Sequence, residues 1–186
     1  EEMLASKARE ALSKGASANL VGMRQEAQDA AIAEYIGARE QNLFSLCLPT
    51  GMGKTMAALR VALTACAIGE ARRIVYVAPY LSILSQATDE MRKATRLQVL
   101  QHHHLSTVKE VDLAEDDDSL LLESWQAPIV TTTFHQLFLA LFPKKAQHSM
   151  RLRALEGAFI IVDEPQVIDK ASWKVFLHMI EALTKR

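Results

Sequence analysis

The sequence contains little cysteine and no long apolar run. Only Cys47 and Cys66 occur among the 186 residues, each within an apolar segment, and they are not spaced as metal ligands. We interpret both as core thiols, which favours a reducing, cytoplasmic compartment. No apolar stretch approaches the roughly 18 residues needed to span a bilayer, and the first residues lack an apolar signal core. These absences predict a soluble protein without a membrane partner.

The sequence also lacks an excess of charge of either sign. Its formal net charge is −1, so no global positive field predicts a nucleic-acid partner. Phosphate binding would depend on a local surface or on backbone amides. No internal repeat or low-complexity segment is present. Apolar residues make up 49% of the chain, which is enough for one substantial core, so we expect a single domain.

The chain opens at Glu1 rather than at methionine and stops at Arg186 within a helical pattern. We therefore expect it to be a piece of a longer protein. Residues 1–18 are predicted to form an N-terminal appendage or linker, and residues 19–186 are predicted to form one lobe.

Short apolar runs alternate with helical patterns along this lobe. Helices are predicted over residues 19–40, 54–68, 82–95, 134–142 and from about 165 to the C-terminus. Strands are predicted over residues 43–48, 73–78, 96–101, 128–133 and 158–164. Continuous apolar strands between helices are typical of a parallel sheet covered on both faces. The predicted fold class is therefore α/β.

A glycine-rich segment, LPTGMGKT, lies between the first predicted strand and the following helix, which is the context of a phosphate-binding P-loop. Leu48 stands where the general pattern has its first glycine. Gly51 and Gly53 permit a backbone whose amides turn towards phosphates, at the positive end of the next helix. Lys54 would reach the β and γ phosphates of ATP, and the Thr55 hydroxyl would bind Mg²⁺. The alternative is an ordinary glycine-containing turn.

Two carboxylates end the last predicted strand, in the segment IIVDEPQ. Asp163 and Glu164 would lie at the carboxyl edge of the sheet, where ligands of open α/β sheets bind. Beside a P-loop, Asp163 would hold Mg²⁺ through its water shell, and Glu164 would position and deprotonate the attacking water. The two motifs together predict hydrolysis of the γ phosphate, whereas the acidic pair alone would also fit a solvated loop.

The motifs PTGMGKT and DEPQ resemble those of superfamily 2 helicases, in which PTGxGKT and a DExx box mark the first RecA-like lobe. The resemblance covers about residues 24–166 and implies a RecA-like P-loop fold with the sheet between helices. Within that group, VYVAPYLSILSQ, VLQHHHLS, IVTTTFHQLFLALF and VDEPQ look like segments of the CRISPR-associated helicase-nucleases of type I interference systems.

This resemblance implies an ATP-dependent 3′-to-5′ DNA helicase. Members of the family are recruited to a target-bound guide-RNA surveillance complex and degrade the displaced strand with a linked nuclease domain. No histidine-aspartate nuclease motif occurs in this chain, so the nuclease and the second motor lobe are expected elsewhere. The arginine that stabilises the transition state normally comes from the second lobe, so we expect this lobe alone to hydrolyse ATP barely or not at all.

The resemblance also assigns nucleotide-site residues. Arg24 and Gln28, one helical turn apart, are similar to the adenine-reading segment, although Gln25 is an alternative and a plain polar helix face would look the same. Gln166 stands where the family usually has histidine, so the coupling of nucleotide state to the second lobe could differ. The predicted catalytic residues are Lys54, Asp163, Glu164 and Gln166. The predicted nucleotide-binding residues are Arg24, Gln28, Pro49, Thr50, Gly51, Met52, Gly53, Lys54, Thr55 and Met56.

By the same resemblance, a track across the sheet edge would contact single-stranded DNA. Such contacts are mostly to phosphate and sugar, and hydroxyls, amides and helix ends can make them without many lysines. A track of this kind is compatible with the near-neutral charge. The residues assigned to it are Pro79, Tyr80, Gln86, His103, His104, Ser106, Thr132, Thr133 and Gln136.

Two polar stretches have other interpretations. Three consecutive histidines, His102 to His104, suggest a metal site, but neighbouring residues on a strand point to opposite faces, so we do not expect them to share an ion. The run from Glu110 to Asp118 carries six carboxylates without metal-loop spacing. It is predicted to be a solvated or disordered loop that could face a partner.

Two other functions fit the same motifs. One is a different superfamily 2 DNA translocase, such as a restriction or repair motor. The other is a nucleotide-gated binding module, in which ATP switches a protein interface without turnover. A neighbouring nuclease domain would favour the predicted helicase over another translocase. DNA-stimulated phosphate release would exclude a binding module without turnover.

Overall fold

The computed structural model describes residues 18–103 and 123–184. Its helices are α1 (Ala18–Gly37), α2 (Lys54–Ala67), α3 (Leu81–Thr95), α4 (Phe134–Leu141), α5 (Ala146–Leu155) and α6 (Lys170–Thr184). Its strands are β1 (Arg73–Ala78), β2 (Val99–His102), β3 (Ile129–Thr133) and β4 (Ala158–Val162), and a 3₁₀ helix (Pro165–Val167) precedes α6. The predicted appendage falls outside the described residues except for Ala18, where α1 begins.

The four strands form one parallel sheet in the order β2-β3-β1-β4. β1 lies inside the sheet, with Ile74 opposite Ile129 of β3 and Phe159 of β4. The predicted strands over 73–78, 128–133 and 158–164 are confirmed to within two residues, and β2 begins at Val99 rather than at Arg96. Because all four strands run in the same direction, their carboxyl ends meet at one edge of the sheet.

Helices cover both faces of the sheet, as the apolar strands predict. Ile74 and Tyr76 of β1 pack with α2 and α3 on one face. Val75 and Val77 pack with α4, α5 and α6 on the other. α1 lies on α2, where Tyr35 joins a smaller cluster. The fold is the RecA-like α/β sandwich. Within residues 18–103 and 123–184, no helix is both long and apolar enough to cross a membrane.

The predicted strand at residues 43–48 is wrong. These residues have no regular secondary structure and no sheet partner in the described part of the chain, and Leu43 is 63% exposed. A cavity of about 730 Å³ is lined both by residues 43–47 and by Phe159 and Ile161 of β4. A strand needs a neighbour at about 4.8 Å for its backbone hydrogen bonds, and the segment faces β4 across this cavity without pairing with it. Its apolar side chains contact α1 instead: the Phe44 ring lies 5.1 Å from that of Tyr35.

Candidate nucleotide and nucleic-acid site

The turn before α2 has a backbone that only glycine adopts readily. Gly51 and Gly53 have positive φ angles of 83° and 79°, a region that side chains with a Cβ disfavour. α2 begins at Lys54, directly after Gly53. The first backbone amides of a helix have no partner within the helix, so those of α2 are available to an anion held by the turn. This is the local geometry that a P-loop requires.

Lys54 lies beside the acidic end of β4. Its Nζ is 3.8 Å from Oε1 of Glu164, and the two side chains are 41% and 37% exposed. Exposed ion pairs contribute only about 0–1 kcal/mol, so a phosphate can replace the carboxylate beside Lys54 at small cost. The structure thus brings together two motifs that lie far apart in the sequence.

Tyr76 of β1 lies beside the same two motifs. Its hydroxyl donates a hydrogen bond of 2.5 Å to Oδ2 of Asp163, and Thr55 lines the same cavity as Tyr76 and Asp163. Burial raises the pKa of Tyr76, and the hydrogen bond and negative charge of Asp163 raise it further. The phenol therefore stays protonated and acts as a donor. The sequence motifs miss this residue, although a tyrosine inside an aliphatic strand is a signal, because a buried phenol needs a polar partner.

Thr55 and Asp163, the predicted Mg²⁺ ligands, approach this phenol from two different elements. Thr55 lies in the first turn of α2, and Asp163 follows β4. Hydroxyl and carboxylate oxygens are the donors that Mg²⁺ prefers, and the ion completes its shell with water and substrate phosphates. Among residues 18–103 and 123–184, no three His, Cys, Asp or Glu side chains converge as a closed metal cage. The donor set fits Mg²⁺ held jointly with a triphosphate.

α1 contacts the P-loop through the two residues predicted to read adenine. Nε of Arg24 donates a hydrogen bond of 2.8 Å to the carbonyl of Gly51. Gln28 is 8% exposed, and its Nε2 lies next to Gly53. Arg60 of α2 donates to Oε1 of Gln28 at 3.4 Å. In this arrangement Arg24 holds the backbone of the turn, and Gln28 packs beside it. Arg60, which no sequence motif indicated, helps to hold Gln28 there.

The other residues predicted to bind nucleotide differ in their exposure to solvent. Thr50 and Pro49 are exposed, and the Pro49 carbonyl accepts a hydrogen bond of 3.2 Å from the amide of Met52. Met56 is 7% exposed and packs in the core between α2 and α3, so only its backbone remains for a nucleotide. Gln25, the alternative to Gln28, bonds to an aspartate of its own helix.

Gln166 lies in the 3₁₀ helix after β4 and is exposed. Its Nε2 donates to Oε2 of Glu164, so the two oxygens of Glu164 are divided between Gln166 and Lys54. Glu164 has a φ of 52°, a left-handed conformation that is uncommon for a residue with a Cβ. The orientation of this carboxylate is therefore set both by the backbone at Glu164 and by its contacts with Gln166 and Lys54.

The accessible part of the predicted DNA track follows the ends of β1 and β2, on the same edge as the nucleotide site. Tyr80, after β1, is 56% exposed, and Pro79 and His103 are half-buried. Gln86, in the first half of α3, is exposed and donates a hydrogen bond of 3.1 Å to Glu90. These four side chains are at least partly accessible to solvent.

Three residues of the predicted track are instead buried. Thr132 is fully buried and donates to the carbonyl of His102 at 2.9 Å. Thr133 caps α4 by accepting a hydrogen bond from the amide of Gln136. Gln136 is 6% exposed, and its Oε1 accepts a hydrogen bond of 2.7 Å from Arg151 of α5. In this structure their side chains hold the end of β3 in place and are not accessible to a ligand.

His104, Ser106 and the acidic run from Glu110 to Asp118 lie outside the described residues, so the roles assigned to them stay predictions. The two preceding histidines are described. His102 is 1% exposed, whereas its neighbour His103 is half-buried.

Arg151 is a second residue that the sequence motifs miss. It is 2% exposed and pairs through Nη2 with Oε2 of Glu123, while Nη1 bonds to Gln136. Its guanidinium carbon lies 5.9 Å from the centroid of the Trp125 ring. Arg151 therefore joins α5 to α4 and to the segment before β3. No local pattern reveals it, because its partners are distant in the sequence.

His102 is a buried neutral histidine. Neither ring nitrogen has a hydrogen-bond partner, and its ring packs edge-on against Trp125 at 5.9 Å. Burial lowers the pKa of His102 from 6.5 to about 3, and the charges of Arg151, His103 and His148 act in the same direction. Below pH 6.5, His102 is therefore protonated in the unfolded chain. In the folded chain it stays neutral down to about pH 3.

Acidification should consequently cost stability through His102, by up to about 1.4 kcal/mol per pH unit between pH 6.5 and pH 3. We expect His102→Phe, which keeps a ring but cannot titrate, to reduce the loss of unfolding free energy between pH 6.5 and 4.5. Urea unfolding at several pH values measures the slope of the unfolding free energy against pH for each variant. His135→Phe, at an exposed position, is the control and should follow the wild type. Equal slopes for His102→Phe and the wild type would refute the argument.

Comparison with known proteins agrees with this geometry. Residues 25–186 match the family profile of the DEAD/DEAH box helicases. The chain is 33% identical to the CRISPR-associated nuclease/helicase Cas3 of Haloferax volcanii, in an alignment that covers 87% of this chain and 20% of that protein. The chain thus spans about one fifth of the length of this relative. It belongs to the DEAD/DEAH box helicases, a family of ATP-hydrolysing motors, as a superfamily 2 helicase lobe that resembles Cas3.

Proposed function

We propose that this chain is the first motor lobe of an ATP- and Mg²⁺-dependent helicase that moves 3′ to 5′ on single-stranded DNA and acts in CRISPR type I interference. The observation that carries the proposal is the 3.8 Å approach of Lys54 to Glu164. This distance supports a phosphate-binding role for Lys54 and a role as base for Glu164, at the edge of the sheet where ligands bind. The identity to a CRISPR-associated nuclease/helicase supports the link to CRISPR interference.

In the proposed reaction, the amides of the P-loop and the Lys54 ammonium hold the β and γ phosphates of ATP. Glu164 accepts a proton from the water that attacks the γ phosphorus, and ADP leaves as the bond to its bridging oxygen breaks. Mg²⁺ bound at Thr55 and Asp163 would neutralise charge on the phosphate oxygens. An arginine of a second lobe would stabilise the remaining charge, so this lobe alone is expected to turn over slowly if at all.

Single-stranded DNA would lie along the carboxyl edge of β1, β2 and β3. The exposed Tyr80 ring can stack on a base, and stacking of this kind tolerates any sequence. Amides, carbonyls and polar side chains at the strand ends would contact phosphate and sugar. The further proposed partners are a second motor lobe, a linked nuclease domain and a guide-RNA surveillance complex.

The direct test is phosphate release by the complete protein. We expect single-stranded DNA to stimulate release from ATP, single-stranded RNA to do so less, and a duplex with a 3′ tail to be unwound in preference to one with a 5′ tail. Stopped-flow phosphate detection and a strand-displacement assay measure both properties. ATP binding without turnover would instead favour a nucleotide-gated module. Translocation on DNA without strand separation would favour a restriction or repair motor.

A further inference from the structure

Tyr76 packs in the core through its aromatic ring, and this packing does not require its hydroxyl. It lies in the interior strand of the sheet, opposite Ile161 of β4, and is fully buried. The ring packs with α2 and α3, where phenylalanine would pack equally well. The hydroxyl extends beyond this packing to the edge of the sheet, where it donates to Asp163 and shares a cavity wall with Thr55.

The two residues beside this hydroxyl come from separate elements. Thr55 belongs to the helix after the P-loop, whereas Asp163 belongs to the chain after β4, and the described structure shows no direct hydrogen bond between them. Tyr76 is hydrogen-bonded to the carboxylate and lies on the same cavity wall as the Thr55 hydroxyl, so it is placed to relate the two. The bond to Oδ2 restrains the orientation of the Asp163 carboxylate.

We propose that Tyr76 is a positioning residue for the metal-binding half of the nucleotide site: it holds Asp163 and Thr55 in register so that both face one Mg²⁺ ion. This inference rests on the proposed function, since it requires the site to take a magnesium nucleotide. In this role Tyr76 would act through Asp163 and Thr55 and would not itself be a ligand of the ion. Partners that orient ligands in this way typically change metal affinity by about 10–100-fold when they are removed.

Tyr35 provides a matched control. It is also buried, at 5% exposed, and its hydroxyl also donates to a carboxylate, Oε2 of Glu70, at 2.7 Å. Glu70 lies after α2, at the end opposite the P-loop. Both tyrosines line the same cavity, so Tyr35→Phe and Tyr76→Phe remove the same chemical group from similar surroundings, once beside Glu70 and once beside Asp163.

The experiment measures binding of a fluorescent ATP analogue to the complete protein, first in EDTA and then during a titration with Mg²⁺. We expect Tyr76→Phe to raise the Mg²⁺ concentration at half-maximal effect by about tenfold and to leave the affinity in EDTA within about twofold. Tyr35→Phe should leave both values at the wild-type level. If Tyr76→Phe and Tyr35→Phe give the same Mg²⁺ dependence, Tyr76 is only a core residue.

A spectroscopic measurement covers the case in which Tyr76→Phe does not fold. With 3-fluorotyrosine placed at position 76 only, the ¹⁹F resonance should shift when Mg²⁺ is added to the nucleotide-bound protein, and an unchanged resonance would overturn the positioning role. Failure of the proposed function is distinguishable, because the wild type would then show no nucleotide binding or no Mg²⁺ dependence at all.

Discussion

Lys54→Ala should abolish ATP hydrolysis by the complete protein, with a loss in kcat/KM of at least about 10²–10³-fold. The side chain is the cation that follows the two left-handed glycines, and it stands 3.8 Å from Glu164 where the γ phosphate would bind. Without it, one source of charge stabilisation is lost both from bound ATP and from the transition state. Nucleotide binding should therefore weaken together with turnover.

The same substitution should hardly change stability, which makes the result interpretable. The Lys54 side chain is 41% exposed and its partner 37% exposed, so loss of the ion pair costs at most about 1 kcal/mol. Lys93→Ala is the control, since Lys93 is an exposed lysine in the last turn of α3, remote from the carboxyl edge. Phosphate release at the wild-type rate by Lys54→Ala would remove the basis for an ATP-driven motor.

The features that the sequence predicts well are those with local causes. β1 and β3 are runs of residues that are buried on both faces, and such strands need continuous apolar sequence wherever they lie in the sheet. The P-loop is equally local, because the positive φ angles of Gly51 and Gly53 require glycine. Parallel topology then brings the ends of β1 and β4 to one edge without any further signal.

Residues 43–48 show why an apolar run is not sufficient to define a strand. Their sequence satisfies the pattern, but pairing needs a second strand at hydrogen-bonding distance, and no strand of the described residues pairs with them. Leu43 and Phe44 consequently keep exposed surface that a buried strand would hide. Strand formation here depends on a neighbour, and the residues of the segment carry no information about it.

The sequence patterns do not predict α5 or the roles of Arg151 and Tyr76 for the opposite reason. In these cases polar residues occupy buried positions. α5 buries His148, Arg151, Ala154 and Leu155, which have helical spacing but only two apolar members. Arg151 can be buried because Glu123 and Gln136 bond to it, and neither partner is near it in the sequence. Tyr76 is similar, since its role depends on Asp163 across the sheet. Long-range hydrogen bonds of this kind are visible only in the folded chain.

Glu164→Gln should separate binding from hydrolysis. The substitution keeps the volume of the side chain and its bond to Gln166, but an amide cannot accept the proton of the attacking water, so we expect kcat to fall by about 10²–10⁴-fold. ATP affinity should stay the same or increase, because a negative charge is removed from beside the phosphates. Loss of the exposed pair with Lys54 costs at most about 1 kcal/mol.

The two site variants therefore have opposite expected effects on ATP binding, and this contrast tests the division of roles. Equilibrium binding of a fluorescent ATP analogue should be weak in Lys54→Ala and strong in Glu164→Gln, while neither releases phosphate at the wild-type rate. Glu40→Gln, at an exposed position after α1, is the control. If Glu164→Gln retains wild-type turnover, the base lies elsewhere. The left-handed backbone at Glu164, which costs roughly 1–3 kcal/mol in a residue with a Cβ, would then have no catalytic purpose.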